Sequence, residues 1–203
     1  MKRRQFIALL GGTTAAWPLA ARAQQREPVR RIGVLVASSV NDSEWQARIA
    51  AFQQRLAQLG WTDGDNVRID TRWSTTNADD LRRHAAELAA LAPDVLLGAS
   101  GTTPAAALLQ ATRTVPIVFA IVVDPVGAGF VASLARPGGN ATGFLLFEYG
   151  LSGKWLELLK EIAPNVKRVA VLRESFVASG PGQFGAIQAA AQSHGADRSG
   201  CRG

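Results

Sequence analysis

The stretch Asp94-Val-Leu-Leu-Gly-Ala-Ser-Gly-Thr-Thr-Pro-Ala-Ala-Ala-Leu-Leu-Gln-Ala111, with Val115-Pro-Ile-Val-Phe-Ala-Ile-Val-Val-Asp-Pro125 after it, decides the fold of this 203-residue chain. Asp94 to Gly98 is a short apolar run ending in glycine, a buried strand. Ser100-Gly-Thr-Thr103 is a turn, and Pro104 suits the first turn of a helix over Ala105 to Ala111. Ile117 to Val123 is apolar throughout, as a central parallel strand should be, because helices cover both of its faces.

The same alternation extends outward. Arg31-Ile-Gly-Val-Leu-Val-Ala37 reads as a buried strand. Asn41, Asp42 and Ser43 offer caps for a helix carrying Ile49, Phe52, Leu56 and Leu59 on one face, with Gly60 at its end. Val67, Ile69, Thr71 and Trp73 alternate with polar residues, the pattern of a strand nearer a sheet edge. Asn77 caps a second helix with Leu81, Ala85, Leu88 and Leu91 facing inward and Pro93 beyond it. After Asp124-Pro125 the spacing of Phe130, Val131 and Leu134 predicts a short helix. Pro137-Gly-Gly-Asn140 is a loop, and Thr142 to Leu146 is a fifth strand. The expected fold is α/β, a doubly wound parallel sheet. Ligands of such sheets bind beyond the C-terminal strand ends, here at Ser38-Ser39, Ser100 to Thr103 and Asp124-Pro125.

After Tyr149 the pattern restarts. Ser152 caps a helix with Leu151, Trp155, Leu158 and Ile162, Val169 to Leu172 reads as a strand, and Phe184, Ile187 and Ala191 form a helical stripe. His194 to Gly203 then lacks apolar content where another strand belongs. The expected organisation is a first α/β lobe over 24–148, the start of a second over 149–192, and an aberrant tail over 193–203. The second lobe is expected to be cut short.

Residues 1–23 read as an export signal. Lys2, Arg3 and Arg4 precede Phe6 and an apolar run from Ile7, and Ala21-Arg-Ala23 is a small-x-small cleavage site before Gln24. The run is too short to span a bilayer. The chain holds 22 Lys and Arg against 16 Asp and Glu, and four of those cations (Lys2, Arg3, Arg4, Arg22) precede Gln24. The remaining excess is small and scattered, so no nucleic-acid partner is expected. The expected location is the periplasm, reached through the export machinery. Cys201 is the single cysteine, so no intramolecular disulfide can form.

The residues offer little to catalysis. His84 lies in a charged helical stretch and reads as a solvated surface group, and His194 lies where the pattern fails. Gly98-Ala-Ser-Gly-Thr102 has the outline of a nucleophile elbow, but Thr102 replaces the final glycine. Gly127-Ala-Gly-Phe-Val-Ala132 matches a dinucleotide fingerprint in form, although Asp124 and Pro125 separate it from its strand. Gly150-Leu-Ser-Gly-Lys154 has the wrong spacing for a phosphate loop. No cofactor or metal is expected, and the chain is not expected to be an enzyme. A Rossmann-like nucleotide-binding enzyme and a non-functional gene remnant stay open as alternatives.

The chain resembles the substrate-binding proteins of bacterial ABC importers, in the family that includes tryptophan- and tyrosine-type binding proteins. The matching segments include Phe52-Gln-Gln-Arg-Leu-Ala-Gln-Leu-Gly-Trp61, Gly64-Asp-Asn-Val-Arg-Ile-Asp70 and Gly101-Thr-Thr-Pro-Ala105. The longest is Asp124-Pro-Val-Gly-Ala-Gly-Phe-Val-Ala-Ser-Leu-Ala-Arg-Pro-Gly-Gly-Asn-Ala-Thr-Gly143. The resemblance implies a two-lobed, type I periplasmic-binding fold holding a small-molecule solute between its lobes and delivering it to an ABC transporter permease. At the strand ends, Ser100, Thr102 and Thr103 are expected to receive an anionic group, since free N–H groups and the helix dipole favour negative charge there. Asp124 is the candidate for a ligand amino group or another cation. Ser38, Ser39, Asn140 and Tyr149 are further candidates from their expected place at the mouth or hinge.

Overall fold

In the computed structural model the described residues are 28–75, 77–173, 177 and 179–193, so the segment expected to be an export signal and the stretch after Ser193 lie outside them. β1 (Arg30–Val36) pairs in parallel with β2 (Val67–Trp73) on one side and β3 (Val95–Gly98) on the other. β4 (Ile117–Val122) and β5 (Ala141–Leu145) complete a five-stranded parallel sheet in the order β2-β1-β3-β4-β5. The register sets Ile32 beside Val95, Leu35 beside Gly98 and Leu96 beside Ile117. All the strands therefore end on one side of the sheet.

Helices cover both faces, as the apolar runs of β1, β3 and β4 require. α1 (Ser43–Gln58) is capped by Asp42, whose carboxylate accepts from Glu44 N at 3.1 Å and Trp45 N at 3.2 Å. It covers Val34, Val36 and Ala99 with Ile49, flanked by Trp45, Phe52 and Trp73. α2 (Ala78–Ala90) is capped by Asn77, which accepts from Asp79 N at 2.9 Å. Together with α3 (Thr102–Ala111) it buries Leu81, Leu88, Leu96, Leu108, Ile117 and Phe119 on the other face. Each such side chain, fully removed from water, contributes about 1.5–3 kcal/mol. His84 differs from its expected surface setting: it is half-buried and its Nδ1 has no partner among the described residues.

Two expected elements do not form. Residues 125–129 make successive turns, and no helix follows through Phe130, Val131 and Leu134. Asp124 (φ +41°) starts the chain in a left-handed conformation. Gly129 N then donates to Val126 O at 3.0 Å and Phe130 N to Pro125 O at 2.9 Å. The apolar spacing there reflects packing alone, since Val131 is buried and Phe130 meets Phe119 edge-on at 6.5 Å. Val169 to Leu172 likewise forms no strand. Among the described residues it pairs with no other strand, and Leu172 is 98% exposed. α4 (Leu151–Ile162) and α5 (Gly180–Ser193) pack on each other. Ser152 does not cap α4; Gly150 precedes the helix, and Ser152 is buried with its Oγ unpartnered among the described residues. Among the described residues no helix is long and apolar enough to cross a membrane.

Candidate functional site

Where β1, β3 and β4 end side by side, the structure leaves a cavity of about 330 Å³. Ala37 follows β1, Ser100 to Thr103 lie between β3 and the first turn of α3, Ile121 is near the end of β4, and Val123 follows it. Leu81 of α2 contributes apolar surface, and Val177 and Ser179 close the lining from the segment that leads into α5.

Two hydroxyls fasten these strand ends to one another. Ser100 Oγ accepts a hydrogen bond from Ala37 N, and Thr102 Oγ1 accepts from Val123 N at 3.1 Å. Each hydroxyl keeps its own hydrogen to donate. Gly98 lets α3 descend close to the sheet, because a Cβ there would lie 3.2 Å from the Ala105 backbone. Gly101 (φ +98°) makes the turn, and no side chain caps α3. The first-turn N–H groups of Thr102 and Thr103 have no acceptor within an α-helix, and the helix dipole adds positive potential at that end. Ile121, a β-branched residue at φ +52°, sits in the wall beside a register shift between Phe119 and Val122. Such a conformation costs on the order of 1–3 kcal/mol. Among the described residues the lining carries no acidic or basic side chain; those residues present neutral donors and one helix terminus, suited to holding a small polar or anionic group reversibly.

Of the expected site residues, Ser100, Thr102 and Thr103 line this cavity and the other five do not. Ser38 donates to Asp42 Oδ2 at 2.6 Å, and this bond, followed by that from Trp45 N, holds the Asp42 carboxyl below its ordinary range. Ser39 accepts from Asn41 N at 3.2 Å in the same turn. Asn140 stands at the opposite end of the sheet. It precedes β5, and its side-chain amide donates to Val115 O at 2.8 Å. In a parallel sheet a residue just before a strand cannot lie at the end where ligands bind. Asp124 gives both carboxylate oxygens to backbone N–H groups, those of Gly127 and Tyr149. Tyr149 lies where the chain leaves β5 for α4. Leu81, Ile121, Val123, Val177 and Ser179 carry no signal in the sequence that marks them as lining, since they are ordinary apolar or small residues brought together by folding.

The glycines 127 and 129 do not form a dinucleotide cradle. Asp124 Oδ1 already accepts from Gly127 N at 2.6 Å, and a pyrophosphate there would meet that carboxylate. Turns follow where the motif requires a helix N-terminus. Among the described residues no group of three or more His, Cys, Asp or Glu is placed to hold a metal ion.

A parallel sheet flanked by helices, with a cavity beyond its strand ends, places this chain among the α/β proteins that bind ligands at the carboxyl ends of their strands. Residues 31–195 match the family model described as ABC transporter substrate binding protein, and the chain belongs to that family. It is 35% identical over 121 residues to a tyrosine-binding protein of Clostridioides difficile, covering 60% of this chain and 34% of that protein. Among solved structures, a conserved domain protein from Vibrio cholerae aligns with a TM-score of 0.67 at 32% identity, covering 82% of this chain and 55% of the other. The ABC domain from Streptococcus pneumonia in complex with L-Trp aligns with a TM-score of 0.67 at 31% identity, covering 82% and 54%. The chain thus spans about half the length of these solved relatives and a third of the tyrosine-binding protein.

Proposed function

We propose that this chain serves as the extracytoplasmic solute-binding component of an ABC importer, taking a small solute at the ends of β1, β3 and β4 and presenting it to a membrane permease. The observation that carries this reading is the cavity itself, where Ser100, Thr102 and the uncapped start of α3 converge at the strand ends. A carboxylate fits that convergence, because unpaired N–H groups and hydroxyls stabilise it without a fixed countercharge. The L-Trp complex of one relative and the name of the tyrosine-binding protein support an aromatic amino acid as the first probe. Lys2 to Ala23 supports export to the periplasm.

Isothermal titration calorimetry with L-tryptophan, L-tyrosine and NAD tests the reading. Saturable heat with either amino acid and none with NAD is expected. Binding of NAD without either amino acid would favour the nucleotide-binding alternative and overturn the proposal.

A further inference from the structure

Asp124 follows β4 in the left-handed region, where Asp is one of the few tolerated side chains. Its N–H donates to Phe147 O at 2.8 Å, and its carbonyl accepts from Ala128 N at 2.8 Å. Oδ1 accepts from Gly127 N at 2.6 Å and Oδ2 from Tyr149 N at 3.1 Å. One residue thereby ties both the 125–128 turn and the 147–149 exit segment to the end of β4.

The Tyr149 side chain extends that tie to α5. A Cβ placed on Gly127 would fall 2.9 Å from the ring Cε2, and one placed on Gly182 would fall 2.6 Å from Cζ. Both separations are too short for real Cβ contacts, so the ring fills room that two absent side chains leave. Gly127 belongs to the turn after β4, and Gly182 to the first turn of α5. That same first turn is joined to the cavity wall: Ser179 O accepts from Gln183 N at 3.1 Å, and Ser179 and Val177 line the cavity with Ser100 to Thr103. A displaced ring would therefore move the start of α5 and the wall that precedes it.

We propose that Tyr149 is a positioning residue for the site: wedged between Gly127 and Gly182 and held by Asp124, it seats Val177 and Ser179 against the Ser100–Thr103 turn and so sets solute affinity. The inference rests on the solute-binding reading above and deepens it. Asp124 acts through Tyr149 and does not touch the solute. The energetic basis is preorganisation, since a wall already in place need not be ordered when the solute arrives.

Tyr149 is the only tyrosine of the chain, so phenolate absorbance reports the wedge without a label. Burial, and then the Asp124 charge, push its pKa above the ordinary tyrosine value. The expected titration midpoint lies above that of N-acetyl-tyrosinamide, and it moves down towards that reference in Gly182→Val and in Asp124→Asn. Far-UV circular dichroism at each pH confirms that the fold is kept. In calorimetry with L-tryptophan, Tyr149→Phe should bind within about twofold of wild type, whereas Tyr149→Ala should lose about tenfold or more. Equal affinity of the Ala and Phe variants would overturn the proposal, and so would a wild-type midpoint equal to the reference. Because the Phe and Ala pair decides independently, a Gly182→Val chain that fails to fold does not rescue it. If the midpoint is raised and falls in the variants while wild type binds neither L-tryptophan nor L-tyrosine, the wedge geometry stands and the solute-binding reading is the one lost.

Discussion

The hydroxyl of Thr102 accepts a hydrogen bond from the Val123 amide at 3.1 Å, across 21 residues of chain. This bond joins the start of α3 to the end of β4 inside the cavity wall, and Thr102 is only 5% exposed. A residue type expected to meet a solute is thus also part of the frame.

Replacing Thr102 by Val keeps the side-chain shape and leaves the Val123 N–H without an acceptor. The expected loss is about 0.5–1.5 kcal/mol of stability, the net contribution of one part-buried hydrogen bond, together with weaker solute binding. Thr102→Ser should restore most of both. Urea denaturation of the three proteins checks this, and equal midpoints for the Val and Ser variants would show that the bond contributes nothing.

Gly98→Ala should disturb the site from below. The added Cβ would lie 3.2 Å from the Ala105 N and Cα atoms, backbone that cannot swing aside. α3 must then lift from the sheet, at about 1–3 kcal/mol for overpacking, carrying the Thr102 and Thr103 N–H groups with it. Melting temperature and amino-acid affinity should fall together. A stable variant with unchanged affinity would contradict the close approach.

Stability should decline in acid through Asp42 and Asp94. Arg31 N, at 2.7 Å, and then the Arg30 guanidinium, at 2.8 Å, hold the Asp94 carboxyl below its ordinary range. Asp42 is lowered by Ser38 and then by Trp45 N. A carboxyl depressed in the folded state stabilises the fold above its unfolded-state pKa, and that contribution is lost as pH falls through the lower folded value. Asp94→Asn should melt earlier than wild type near pH 6, with the gap closing as pH falls below the ordinary aspartate value of about 3.9. Because the group is exposed, added salt should narrow the gap as well. A gap that widens in acid would refute the assignment.

The α4–α5 pair should open before the sheet does. Leu158 is 54% exposed, Ile162 82% and Leu172 98%, so this unit buries little of its own apolar surface. Limited proteolysis should reach residues 151–193 first and leave a resistant core ending near residue 150. Equal resistance across the chain would show that the two parts open as one.

Much of the framework was legible in the sequence. The apolar runs of β1, β3 and β4 can be buried only between two helical layers, and Asp42 and Asn77 mark helix starts by chemistry that acts over two or three residues. The turn at Ser100 to Thr103 was legible for the same reason, since strand, glycine and helix follow one another locally. Where apolar residues recur without a local reason, the reading failed. Phe130 and Val131 have helical spacing but are held by turns that start at Asp124, and Val169 to Leu172 has strand composition but pairs with no other strand among the described residues.

By itself, then, the sequence determined the strands and helices from Arg31 to Ala111, the caps at Asp42 and Asn77, and the end of the sheet at which Ser100 to Thr103 lie, because periodicity and capping are short-range physics. Only the tertiary structure decided that Thr102 Oγ1 binds the end of β4, that Asn140 lies at the far end of the sheet, and that the Asp124 carboxylate answers Gly127 N and Tyr149 N. Those facts depend on contacts between residues up to 25 positions apart, and such pairings are set by how the packed layers fall against one another.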